Sequence, residues 1–129
     1  MPVASRLTAL VVDDQSTIRQ LVRQGLATIG FGEVREAPDG EDGLKMLINR
    51  KVDLVISDFN MPKLDGLGFL RAVRAYEPVS KTAFIMLTGR ADKELVARAV
   101  QYGVNNYLVK PFTVQTLKDK IEAVFGPLT

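Results

Sequence analysis

Five short apolar runs of strand length alternate along the chain with five longer segments of helical spacing, and few architectures accept that alternation. The runs are residues 7–12, 34–37, 54–57, 83–88 and 107–109. Between and after them, apolar residues recur every three or four positions. Ile18, Leu21, Val22, Gly25, Leu26 and Ile29 share one face in the first segment, and Leu44, Leu47 and Ile48 in the second. Phe69, Leu70 and Val73 mark the third, Leu95, Val96, Ala99 and Val100 the fourth, and Leu117, Ile121, Val124 and Phe125 the fifth.

The punctuation agrees with this division. Gly30, Gly32 and Gly103 stand just past expected helix ends, as C-terminal caps do. Asp39 with Asp42 three residues on resembles a capping box, and Thr113 is placed to cap the fifth helix. Near-continuous apolar central runs indicate a sheet covered on both faces. Right-handed crossovers then give an α/β fold, a doubly wound five-stranded parallel sheet. At 129 residues the chain is expected to be one domain, 1–129, with no second domain attached.

Composition removes several function classes. There is no cysteine and no histidine, so thiol catalysis, Ser-His-Asp chemistry and His- or Cys-ligated metals are out of reach. Any metal must bind through oxygen, which favours Mg²⁺, Mn²⁺ or Ca²⁺. The net charge is only +2, with acids and bases interspersed, so nothing calls for nucleic acid as a partner. The apolar run 7–12 stops at two acids and is too short for a signal core or a membrane span. The expected setting is cytoplasmic, without membrane insertion.

The chemistry gathers at the ends of the runs. Asp13 and Asp14 follow the first, Asp58 the third, and Lys110, followed by Pro111, the fifth; Thr88 ends the fourth. Each alone reads as ordinary turn, cap or strand chemistry. In a parallel sheet, however, strand C-termini lie along one edge, where ligands bind. Carboxylates within ~4 Å repel by roughly 4 kcal/mol per pair at an effective dielectric near 20. A divalent cation with a phosphoryl group compensates such a cluster, and Lys110 would reach a phosphoryl oxygen as a point charge. The Lys110–Pro111 bond is a candidate cis peptide. Tyr107 reads as a half-buried aromatic. The Arg and Lys residues of the helices read as solvated faces, and Gly66-Leu67-Gly68 lacks the third glycine of a dinucleotide fingerprint.

Val11-Val12-Asp13-Asp14, Asp58-Phe59-Asn60-Met61-Pro62, Asp65-Gly66, Thr88 and Val109-Lys110-Pro111-Phe112, in this order and spacing, resemble a response-regulator receiver domain of the chemotaxis, CheY-like, single-domain type. The resemblance spans essentially the whole chain. It implies a flavodoxin-like sheet ordered 2-1-3-4-5, for which CheY is a standard example. It implies a two-component phosphorelay in which Asp58 accepts a phosphoryl group from a sensor histidine kinase. Asp13, Asp14, Asp58 and the backbone carbonyl of Asn60 would hold Mg²⁺, and Lys110 and Thr88 would grip phosphoryl oxygens. Thr88 and Tyr107 would form the switch. The face built by the fourth helix, fifth strand and fifth helix would meet a downstream target, a flagellar switch protein being one candidate, with the chain itself a monomer.

The resemblance also marks a departure. Arg90 stands where chemotaxis relatives often carry an acid, and with Asn60 it borders the route of the hydrolytic water. Both are therefore candidates for tuning the lifetime of the acyl phosphate. A sequence pI near 9.0 suits an acidic partner. Three other classes compete. A flavin carrier needs a phosphate-cradling loop where two acids stand. A phosphohydrolase needs a cap that the chain is too short to supply. A pseudo-receiver adaptor binds without phosphorylation, although the acceptor set is complete. Within the leading class, a phosphorelay shuttle and a stress adaptor remain open beside motor control. Slow autodephosphorylation, rather than turnover of a substrate, is the expected chemistry.

Overall fold

The computed structural model describes residues 2–89 and 93–129. After a 3-10 turn at Ala4–Arg6, strands β1 (Thr8–Val12), β2 (Glu33–Ala37), β3 (Leu54–Asp58), β4 (Ala83–Thr88) and β5 (Asn106–Val109) alternate with helices α1 (Ser16–Ile29), α2 (Gly40–Asn49), α3 (Gly66–Ala75), α4 (Lys93–Gln101) and α5 (Val114–Phe125). A second 3-10 turn, Glu77–Val79, leads into β4. All strand pairs are parallel, in the order β2-β1-β3-β4-β5. Pairing Val12 with both Ala37 and Ser57, and Asp58 with Leu87, brings the C-terminal ends of β1, β3 and β4 to one edge.

Alternation along each strand divides the core into two layers. Val11, Leu54, Ile56, Ile85, Leu87 and Leu108 pack with Val22, Leu26, Leu117 and Ile121 of α1 and α5. Leu10, Val12, Val55, Phe84 and Met86 pack with Leu47, Phe69, Leu70, Val73 and Ala99 of α2, α3 and α4. Phe69 meets Phe84 edge to face, ring centroids 5.4 Å apart. The central strands β3 and β4 are buried throughout, which explains their unbroken apolar runs. Leu21, Ile48 and Val100, expected on the inward faces, are instead 55%, 45% and 61% exposed. Each lies at the margin of its apolar stripe, where rotation of the helix decides the outcome. Ala99 is the only fully buried residue of α4, so that helix is lightly anchored.

The caps follow their side-chain chemistry. Asp39, Asp65 and Thr113 accept the N–H groups of Asp42, Gly68 and Thr116 at the starts of α2, α3 and α5. Gly30 ends α1 in the left-handed region at φ 111°, and Gly103 follows α4 at φ 90°. Gly32 is not a cap. It stands against the 3-10 turn, where a Cβ would lie 2.1 Å from the Ser5 carbonyl oxygen. Gly32→Ala is expected to lower stability by about 1–3 kcal/mol in urea denaturation, because the backbone itself must shift. An unchanged midpoint would show that the turn yields freely.

Two arginines depart from the expected solvated faces. Arg74, in the last turn of α3, donates to the carbonyls of Ser80, Thr82 and Gly103 and to the side-chain oxygen of Asn105. It ties α3 to the start of β4 and to the turn before β5, and burial lowers its pKa. Arg19 is the second and belongs to the site.

Candidate functional site

The β1–α1 loop carries Asp13 and Asp14, β3 ends at Asp58, β4 ends at Thr88, and Lys110 follows β5. Oxygens of Asp13, Asp14 and Asp58 all lie within 4.8 Å of one another. Asp13 and Asp58 are 0% and 7% exposed, whereas Asp14 is exposed. A cavity of about 600 Å³ opens over them, lined by Asp14, Asp58, Asn60, Thr88, Gly89 and Lys110 among others. The spread of these residues over four strand ends is the product of the parallel topology.

The local chain explains the placement. Gly66 sends its N–H to the Phe59 carbonyl at 2.8 Å. A Cβ at Gly66 would lie 2.4 Å from the Asp58 carbonyl oxygen, so a glycine lets α3 start directly beneath the end of β3. The Lys110–Pro111 peptide is cis, as expected. Lys110 Nζ lies 3.0 Å from Asp58 Oδ1 and 3.8 Å from Asp13 Oδ2.

The electrostatics are unfinished at Asp13. Its Oδ1 accepts the Gln15 N–H at 2.9 Å. Its Oδ2 is buried without a hydrogen bond. Burial pushes the Asp13 carboxyl up to about 6; the Gln15 bond and Lys110 pull the other way, and Asp58 and Asp14 raise it further. One ammonium against three carboxylates leaves the cluster net negative. A hard divalent cation fits this donor set: all ligands are oxygen, and one buried oxygen has its hydrogen-bonding capacity free.

Thr88 is 4% exposed at the cavity wall. Tyr107 is half-buried on β5, between α4 and α5. The Lys120 ammonium sits 4.6 Å from its ring centroid, and the ring borders a hollow shared with Lys93, Val96 and Ala97. Arg90 lies outside the described residues. Arg19, which the periodicity hid in the polar stripe of α1, donates to the Asp13 carbonyl at 2.6 Å. Its signal was available only from its place one turn after the acid pair.

The model of the response regulator receiver domain family matches residues 9–122. The chain belongs to that family. The receiver is 51% identical over 128 residues to a probable chemotaxis protein CheY of Rhizobium etli, covering 99% of each chain. It is 44% identical to the chemotaxis protein CheY of Pseudomonas aeruginosa, covering 90% of this chain and 94% of the other. Among solved structures, Vibrio cholerae CheY4 superimposes with a TM-score of 0.86 at 36% identity, over 92% of the receiver and 98% of that chain. A putative response regulator of Chloroflexus aurantiacus gives 0.88 at 29% identity, over 98% of the receiver and the whole of that chain. The fold of the receiver is thus the CheY-like one, in the strand order expected. Among its described residues no helix is long and apolar enough to cross a membrane.

Proposed function

We propose that the receiver is a response regulator that stores a phosphoryl group on Asp58. The observation that carries this is the Asp58 carboxylate, at the floor of an open cavity, with Lys110 Nζ at 3.0 Å and the buried Asp13 beside it. A carboxylate oxygen of Asp58 attacks phosphorus. An O–P bond forms, and the P–N bond of a phosphohistidine, or the P–O bond of acetyl phosphate, breaks with its electron pair leaving on the donor. Lys110 and Thr88 hold the phosphoryl oxygens as charge moves onto them. Mg²⁺, or Mn²⁺, held by Asp13, Asp14, Asp58 and the Asn60 backbone carbonyl, would neutralise the crowded oxygens when bound. The donor is the phosphohistidine of a sensor kinase, and the work is done in the cytoplasm.

The output follows from where Thr88 and Tyr107 stand. A phosphoryl group that draws Thr88 inward pulls on the end of β4, and lightly anchored α4 moves with it. Tyr107 then enters the space released, remodelling the α4-β5-α5 face for a target protein. The shift is limited by how differently the phosphoryl group interacts with the two states. The names of the chemotaxis relatives support motor control as the pathway, with a flagellar switch protein as target. Asn60 sets how readily water reaches the acyl phosphate. The test is intact mass of the wild type in acetyl phosphate with Mg²⁺. A gain of one phosphoryl group is expected, and no gain in folded protein from either acetyl phosphate or a phosphorylated kinase would overturn the proposal.

A further inference from the structure

Asp13 has its polar atoms committed in every direction but one. Its N–H donates to the Ala37 carbonyl at 3.2 Å, and its Oδ1 accepts the Gln15 N–H at 2.9 Å. Its main-chain oxygen accepts from Arg19 Nη1 at 2.6 Å. Only Oδ2 has no hydrogen bond, and it faces Lys110 at 3.8 Å. The residue is pinned so that this oxygen points at the cluster.

Arg19 is itself held. Its Nε donates to Glu36 Oε1 at 3.1 Å, and Arg23 takes Glu36 Oε2 at 2.8 Å. Glu36 lies on β2, so one planar guanidinium braces the edge strand against the main chain under Asp13. The Arg19 side chain is only 18% exposed. A fork that satisfies two acceptors at once is a task for arginine; the ammonium of lysine acts as a point charge.

We propose that Arg19, locked by Glu36, is a positioning residue that sets the divalent-cation affinity of the Asp13–Asp14–Asp58 cluster. The inference rests on the cation-binding reading above. Two effects of Arg19 have opposite signs. As a nearby positive charge it weakens cation binding, whereas as a brace for Asp13 it strengthens it. Partners that orient a ligand residue typically alter metal affinity ~10-fold or more, and we assign Arg19 to that role.

The test is Mg²⁺ titration by calorimetry of the wild type, Arg19→Ala and Arg19→Lys, with folding checked by circular dichroism. Positioning predicts a loss of about 10-fold in Mg²⁺ affinity for Arg19→Ala and of roughly 3-fold for Arg19→Lys, which keeps the charge but not the fork. Unchanged or tighter binding by Arg19→Ala, with Arg19→Lys like the wild type, would overturn the inference and leave the cation site standing. If Arg19→Ala does not fold, Arg19→Lys decides alone: weakened binding supports the brace, and wild-type affinity overturns it. No Mg²⁺ binding by the wild type would remove the reading beneath the inference, and the inference with it.

Discussion

Asp58→Asn is expected to reduce phosphoryl uptake from acetyl phosphate by at least about 10³-fold while leaving the fold intact. Asparagine matches aspartate in shape, so the buried end of β3 keeps its packing. Its amide is not a nucleophile toward phosphorus. The neighbouring acids do not replace it: Asp13 is 0% exposed, its carboxylate closed off from an incoming donor, and Asp14 is exposed at the rim. Intact mass at matched times measures the effect. Uptake persisting at the wild-type rate would place the acceptor elsewhere. The variant also removes the negative charge 3.0 Å from the Lys110 ammonium while keeping an amide oxygen there to accept its hydrogen bond, and the Asp13 carboxylate at 3.8 Å remains its anionic neighbour.

Asp13→Asn is expected to stabilise the metal-free protein above about pH 7 by on the order of 1–3 kcal/mol. The folded-state carboxyl titrates at about 6, against 3.8 for an unperturbed group. The folded protein therefore binds this proton more tightly than the unfolded chain does. The stability so conferred is complete below pH 3.8 and is lost as the pH rises through about 6. An amide keeps the Gln15 contact through its oxygen and carries no charge to bury. The advantage of the variant should accordingly vanish towards pH 4. Mg²⁺ should stabilise the wild type more than the variant, because binding to the folded state raises stability by mass action. Urea denaturation at several pH values, with and without Mg²⁺, reads both effects. A difference between the two proteins that does not change with pH would contradict this account of Asp13.

The alternation of apolar runs made the sheet legible, because a strand buried on both faces leaves an unbroken apolar signature. β4 lies where its run does, and β2, β3 and β5 extend theirs by a single polar residue, Glu33, Asp58 or Asn106. Asp13, Asp14, Asp58, Thr88 and Lys110 could be brought together on paper because a parallel sheet collects strand C-termini on one edge. Arg19 and Arg74 were not legible. Periodicity separates a polar stripe from an apolar one, but it does not show which polar side chain meets carbonyls contributed by distant turns. Arg74 finds its acceptors at residues 80, 82, 103 and 105, and Arg19 finds one in the preceding loop and one on β2. Gly32 reads as a cap in the sequence, and Gly66 as part of Gly66-Leu67-Gly68, a dinucleotide fingerprint short of its third glycine. Their necessity comes from backbone that approaches from elsewhere in the fold.

The proposed chemistry is an acyl phosphate formed on Asp58 with the help of a divalent cation. Wild-type protein incubated with acetyl phosphate, in Mg²⁺ or in excess chelator, should be reduced with borohydride and mapped by peptide mass. Borohydride converts an aspartyl phosphate to homoserine and so marks the position permanently. Homoserine is expected at position 58, in the Mg²⁺ sample only. Homoserine at another aspartate, or equal labelling at 58 in chelator, would contradict it.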